Sequence, residues 1–412
     1  MRKLELLAPA GDLEKLKIAV DYGADAVYFG GEMFSLRAGA GNLTVEEIKE
    51  GVNYAHSHNV KCHLTLNIYA HNEDIEPLKE YINRIKDIPI DAFIVSDPAV
   101  MEIIKSFIPK AEIHLSTQAN MTNYVTANFW RSMGVKRLVL ARELSLEEIR
   151  DIREKLPVDT DLEGFGHGAM CISYSGRCLL SNFMVNRDAN RGACAHPCRY
   201  KYRLEEEKRP GEYWPVDEDD RGTYIFNSKD LCMLEHLQEM VDAGITSVKI
   251  EGRMKSIFYT AHIIGAYRRA IDAISENKPF NPAWYEEMCK ASHRAFTTGF
   301  YFNPTSEEDQ NYETSAYTRD YSFVGLVKDY DHASGMAIIE QRNKMVTGDT
   351  IEVFGPPTKD ASSIDCLYFS QTIEEMYNEE GEAITEAPHP QQIIKIKMKQ
   401  PVAVNYMLRK EK

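Results

Sequence analysis

The sequence predicts an α/β fold: a (β/α)8 TIM-like barrel with a cysteine-rich insertion after its seventh strand, followed by a small C-terminal antiparallel β-barrel. Three observations predict it. Eight short apolar, β-branched runs recur up to Arg253, most of them separated by stretches of helical periodicity. Four of the 8 cysteines crowd between Cys171 and Cys198. From Tyr321 onward the pattern changes to alternation broken by Gly, Asp and Asn.

The eight runs are "LELLAP" (Leu4–Pro9), "DAVYFGG" (Asp25–Gly31), "KCHLTLNI" (Lys61–Ile68), "DAFIVSD" (Asp91–Asp97), "EIHLSTQAN" (Glu112–Asn120), "KRLVLAREL" (Lys136–Leu144), "DLEGFGHG" (Asp161–Gly168) and "SVKIEGR" (Ser247–Arg253). Near-continuous apolar strands alternating with helices imply a parallel sheet covered by helices. "DLEKLKIAVDYG" and "SLEEIRDIREKL" read as two of those helices, capped by Asp12 and Ser145. A doubly wound open sheet is the alternative, but "APAGD" after the first strand lacks the G-x-G-x-x-G of a dinucleotide site. The expected division is a catalytic domain over 1–300 with its insertion over 168–243, a linker over 301–320 and the second barrel over 321–412.

Polar residues end the strands at their C-terminal side: Tyr28 and Arg37, Asn67, Asp97, Ser116, Gln118 and Asn120, Arg142 and Glu143, Glu163 and His167, and Lys249, Glu251 and Arg253. In a barrel those ends converge on the face that carries active sites. Arg37, Lys249 and Arg253 are therefore candidate ligands for a carboxylate-rich small molecule, because guanidinium groups match carboxylates bidentately. Glu163, His167 and Glu251 are candidate proton carriers.

The insertion carries Cys171, Cys178, Cys194 and Cys198 with Arg177, Arg187, Arg191, Arg199, Lys201 and Arg203 among or just beyond them. In a reducing compartment such a cluster points to a metal or to redox chemistry. The spacing C-x6-C-x15-C-x3-C is too uneven for paired zinc knuckles and fits an iron–sulfur cluster better, with zinc kept as the alternative. Cys232 is a fifth candidate that would replace one of the four, most plausibly Cys198.

A net charge of −15 argues against a broad basic surface, but not against this local patch. Arg191 and Arg199 are its candidate binding residues, which the family resemblance below would assign to RNA phosphates. The start "MRKLELLAPAGD" reads as a first strand and not a secretory signal, and no apolar run approaches a membrane span, so a cytoplasmic protein without a membrane partner is expected. H-E-x-x-H and G-x-S-x-G are absent.

The order Glu163, Phe165, Gly168, Cys171, Gly176, Cys178, Ser181 resembles the signature E-x-F-x2-G-x2-C-x4-G-x-C-x2-S of the peptidase U32 family. "ELLAPAGD…GADAVYFGG", "STQAN" and "SVKIEGRMKS" are similar to it as well, and the resemblance spans essentially the whole chain. Named for supposed collagenases, the family also contains RNA hydroxylases. "NRGAC…PCRY" and "GTYIFNSKDLCM" are similar to the branch that makes 5-hydroxyuridine at the tRNA wobble position with prephenate as co-substrate. Other members hydroxylate a ribosomal RNA cytidine or hold a 4Fe-4S cluster on cysteines. The resemblance thus implies an oxygen-independent tRNA uridine hydroxylase with tRNA as partner. It implies a 4Fe-4S cluster on Cys178 and Cys194 first, then Cys171 and Cys198, with Cys232 open. The competing readings are a peptidase, a ribosomal RNA hydroxylase and a non-catalytic RNA-binding scaffold.

Overall fold

The computed structural model describes residues 3–35, 41–171, 173–199, 218–219, 222–223, 229–303, 317–357 and 368–412. Seven parallel strands follow one another around a cylinder: β1 (Glu5–Ala10), β2 (Ala26–Gly30), β3 (Lys61–Leu66), β4 (Ala92–Val95), β5 (Ile113–Leu115), β6 (Arg137–Val139) and β7 (Asp161–Ala169). A short β8 (Asp230–Cys232) runs antiparallel on β7. The eighth barrel strand, β9 (Ser247–Ile250), pairs in parallel with both β1 and β7, Ser247 standing opposite Glu5 and Glu163. That double pairing closes the barrel and excludes the open sheet. β10 (Phe296–Thr297) extends the sheet beside β8.

The helices form where the sequence supplies caps. Asp12 Oδ1 accepts from Lys15 N at 2.8 Å to start Leu13–Asp21, and Ser145 with Glu148 makes a reciprocal capping box for Leu146–Glu154. Alternation sorts each strand's side chains. On β3, Cys62, Leu64 and Leu66 join the large cluster under the helices, while buried His63 and Thr65 take the other face of the strand. A thin apolar band of Leu7, Ala26, Tyr28 and Ile94 crosses the lumen.

The C-terminal part is an eight-stranded antiparallel sheet in half-barrel form: β11 (Tyr321–Asp331), β12 (Met336–Gln341), β13 (Thr350–Phe354), β14 (Phe369–Thr372), β15 (Met376–Tyr377), β16 (Ala383–Ile384), β17 (Ile393–Lys397) and β18 (Met407–Glu411). Its core holds Val324, Val327, Ile339, Ile351, Ile394 and Leu408. Arg409, with no exposed surface, joins the two parts: it donates to both oxygens of Glu287, to Glu352 Oε2 at 2.7 Å, and lies against His262. Among the described residues no helix is long and apolar enough to cross a membrane.

Candidate active site

Below the apolar band the lumen is charged. Arg137 reaches Glu5 (Nη2–Oε2 3.0 Å) and Glu163 (Nη1–Oε2 3.1 Å), and Lys249 Nζ donates to the other oxygen of Glu163 at 2.9 Å. Burial alone would raise both carboxyl pKa values; the Arg137 charge holds Glu5 down at about 2, and Lys249 and Arg137 hold Glu163 below its ordinary range. His63 and His114 pack edge to face beside them, 4.7 Å between ring centres. Burial, and then neighbouring charges, push both imidazoles well below their ordinary pKa, so they stay neutral. Two acids against two bases inside the barrel make a compensated floor.

Above the band lies a cleft of about 50 Å³ at the strands' C-terminal ends, lined by Tyr28, Thr65, Asn67, Ser116, Gln118, Arg142, Phe165, Lys249, Glu251 and Arg253. Lys249 spans both layers, its ammonium 4.4 Å from the centre of the Tyr28 ring. Tyr28 Oη donates to Ile250 O at 2.9 Å and lies 3.4 Å from Glu251 Oε2. Arg253, 3% exposed, donates to Ser35 Oγ at 2.8 Å and Thr65 Oγ1 at 3.2 Å. Arg142 stacks over Phe165 at 4.1 Å and donates to Ala169 O at 3.0 Å. Its Nη1 also lies 3.8 Å from Cys171 Sγ, linking cleft and insertion. Three cations thus share the cleft with the carboxylate of Glu251. Among the described residues, Gln118 Oε1, Asn120 Oδ1 and Arg142 Nε are buried without a hydrogen-bond partner. Such groups are costly unless something bonds them; they mark where a polar ligand would sit.

The insertion leaves β7 at Gly168 (φ +113°), where a Cβ would strike Glu251 O at 2.6 Å. It then folds back over the mouth. Asn120 Nδ2 donates to Ser175 O at 2.8 Å. The two halves of the cysteine segment are tied by Ala195 N to Ser181 Oγ at 3.0 Å and Asn190 Nδ2 to Cys178 O at 3.3 Å. These bonds bring the stretch after Cys178 against the stretch around Cys194. His196 N donates to Cys194 Sγ at 3.4 Å. No three of the four clustered thiols lie mutually within 4.8 Å; among the described residues only His56, Cys62 and Asp91 do. Sulfurs around one tetrahedral zinc would stand about 3.8 Å apart, so the donors are not drawn to that spacing. The insertion thus carries four soft thiol donors, with Cys171 beside Arg142.

The sequence-nominated residues are sorted by this geometry. Lys249, Glu251 and Arg253 meet in the cleft. The Glu163 carboxylate is directed to the floor, held by two cations. The register shifts between Lys249 and Ile250 opposite β7, and His167 packs among Tyr259, Tyr267 and Phe296, where burial and then Lys255 depress its pKa to about 3. His167 is therefore neutral and turned away from the cleft. Arg191, nominated for phosphate, instead grips Asp74 with both nitrogens at 2.9 and 3.1 Å, pinning the insertion to the barrel. Cys232 lies in the core 3.9 Å from Tyr267 Oη, and burial pushes its thiol up to about 12, placing it apart from the four. Arg37, Lys201, Arg203 and the Arg199 side chain lie outside the described residues. Sequence reasoning passed over Glu5, His63, His114 and Arg137; the available signal was a polar residue inside an otherwise apolar strand.

Comparison with known proteins places this arrangement. The family model for peptidase family U32 matches residues 11–311, and that for the peptidase family U32 C-terminal domain matches residues 319–409. The chain is 43% identical over 414 residues to the tRNA hydroxylation protein P1 of Bacillus subtilis (strain 168), covering 100% of this chain and 96% of that protein. It is 36% identical over 448 residues to the tRNA hydroxylation protein P of Escherichia coli (strain K12), covering 99% and 96%. It is also 34% identical over 368 residues to a collagenase of Porphyromonas gingivalis (strain ATCC BAA-308 / W83), covering 86% and 87%.

Proposed function

The chain belongs to peptidase family U32, and we propose that within it this protein is an RNA hydroxylase acting on tRNA, converting the wobble uridine to 5-hydroxyuridine without molecular oxygen. The observation that carries the reading is the full-length similarity to two tRNA hydroxylation proteins. The mouth supports it with a cationic cleft, orphaned hydrogen-bonding groups and four thiols on one insertion. Cys171, Cys178, Cys194 and Cys198 would hold a 4Fe-4S cluster, which when bound supplies electron transfer. Arg142 would offset the negative charge of Cys171 as a cluster ligand and links it to the cleft wall through Phe165. Lys249 and Arg253, held in place by Glu163 and by Ser35 and Thr65, offer cationic groups to a carboxylate-rich co-substrate, proposed here as prephenate. Glu251, whose carboxylate Tyr28 approaches, is placed to hold or accept a proton at the cleft wall.

A peptidase would need an activated nucleophile. His167, four residues before Cys171, is neutral and packed among aromatic rings, and the Cys171 thiol meets Arg142 instead. The test is nucleoside mass spectrometry of tRNA from cells lacking this protein, with and without a restoring copy. Hydroxyuridine should vanish and return; its persistence in the deletion, with no second hydroxylase present, defeats the reading. Anaerobically purified protein should carry iron and sulfide, and a colourless protein with stoichiometric zinc defeats the cofactor.

A further inference from the structure

One feature of the insertion is not used by the cleft. The helix Leu180–Val185 and the residues before it expose an apolar crown: Phe183 is 88% exposed, Leu179 68% and Tyr174 48%. Contiguous exposed apolar surface on a folded chain marks an interaction site. The crown is fixed rather than dangling, because Ser175 and Ser181 on either side of it are buried and hydrogen-bonded to the barrel loop and to Ala195. Its charge is distinctive. No acidic residue occurs from Cys171 through Arg187, in a chain of net charge −15, and Arg177 and Arg187 flank the rings with exposed side chains.

We propose that this crown is a stacking platform for unpaired nucleotides of the RNA substrate, Phe183 presenting the ring and Arg177 and Arg187 meeting the phosphates. The proposal rests on the reading of the chain as a tRNA-acting enzyme and extends it to how the substrate is held. An aromatic face accepts any base, but only a base freed from a duplex stack can reach it. The platform therefore selects a looped-out segment and presents it beside the cleft. A partner protein with an apolar face would satisfy the rings equally well, but it gains nothing from cations unrelieved by any acid over this stretch; a polyanion does.

The experiment uses the full chain, purified anaerobically, and anisotropy of a labelled RNA hairpin with an unpaired loop beside a blunt RNA duplex of equal length. Phe183→Ala should weaken hairpin binding about tenfold, within the range of roughly 1–3 kcal/mol lost per unstacked base, and leave duplex binding unchanged; Phe183→Trp should restore it. Arg177→Gln should lower the slope of log affinity against log salt by about 0.7. At 88% exposure the Phe183 ring supports no core, so folding is not at issue. Hairpin affinity within twofold of wild type for Phe183→Ala overturns the platform, as does an equal loss on the duplex. A concentration-dependent dimer that Phe183→Ala abolishes would reassign the crown to a contact between copies. Binding needs no turnover. Wild-type hairpin binding with no Phe183 effect therefore sinks the platform alone, whereas unaltered hydroxyuridine in the deletion strain sinks the parent reading.

Discussion

The barrel floor and the barrel mouth are built from the same residue types and treat them oppositely. On the floor Arg137 and Lys249 are matched by Glu5 and Glu163 within hydrogen-bond distance, three of the four buried and Glu5 half-buried. Both layers keep buried polar atoms without a hydrogen-bond partner among the described residues, Arg137 Nε, His63 Nδ1 and His114 Nδ1 on the floor and Arg142 Nε, Gln118 Oε1 and Asn120 Oδ1 at the mouth, but the floor pairs its cations with carboxylates while Arg142 has no carboxylate within 4.0 Å among the described residues. A compensated set serves the fold; an uncompensated one is held ready for something that is not part of the chain. Lys249 belongs to both and hands a fixed positive charge from one to the other.

Breaking the floor should cost the most. Arg137→Met leaves Glu5 with the Ser247 hydroxyl as its side-chain hydrogen-bond partner among the described residues and strips one of two cations from Glu163. Removing one member of a buried ion set costs about 3–5 kcal/mol. Urea unfolding should show a loss of that size, partly recovered by adding Glu5→Gln. A loss under about 1 kcal/mol would mean the floor is not a structural unit, and the contrast with the mouth would fail.

Arg142→Gln should do the reverse. The lost guanidinium sits where charge is offered to ligand and to Cys171, so tRNA modification should fall about 100-fold or more, the scale set by removing one preorganised donor. The unfolding midpoint should move by less than about 1 kcal/mol, because the side chain is only partly buried. Equal effects of Arg137 and Arg142 substitutions on stability would erase the distinction.

Acid separates the floor's two kinds of charge. His63 and His114 titrate well below an ordinary imidazole in the folded state, and His167 and His262 at about 3. With depressed folded pKa values, the unfolded chain binds the extra protons. Stability is therefore full above about 6.5 and falls as pH drops below it, by up to roughly 1.4 kcal/mol per pH unit for each histidine. Glu5 and Glu287, both at about 2 because burial is outweighed by Arg137 and Arg409, hold their contribution until pH falls below about 4.5. Unfolding followed against pH should thus begin to weaken near 6.5, and His114→Gln should shallow that first slope without moving the second.

The strands, their order and several caps were legible because period and cap chemistry are local. Parity was legible too: Glu5 in "LELLAP" and His63 in "KCHLTLNI" each interrupt an apolar run, whereas Arg137 in "KRLVLAREL" only precedes one. Which of them would meet was not, since the link between Glu5 and Arg137 exists only once β9 closes the cylinder. The same limit governs Arg191. A basic residue among cysteines looks the same in sequence whether it faces phosphate or, as here, a carboxylate 117 positions earlier. His167 was misdirected by one register shift, which no periodicity announces.

The smallest expected change probes how the mouth is covered. Gly176 has φ +74°, and a Cβ there would lie 2.5 Å from Gln118 Oε1 and 2.6 Å from Tyr69 Oη. Gly176→Ala carries about 1–2 kcal/mol of left-handed strain and also pushes the insertion off a cleft-lining residue. Gly348→Ala is the control: φ is +92°, yet nothing lies within 4 Å of its Cβ. Both should lower the unfolding midpoint by similar, small amounts. Only Gly176→Ala should speed proteolysis within 168–199 and, with the cluster proposed above, lower the iron bound per chain, because it alone disturbs the seat of the cysteines. If Gly348→Ala did the same, the link between that seat and the mouth would be lost, and the thiols would have to be held by something other than their docking on the barrel.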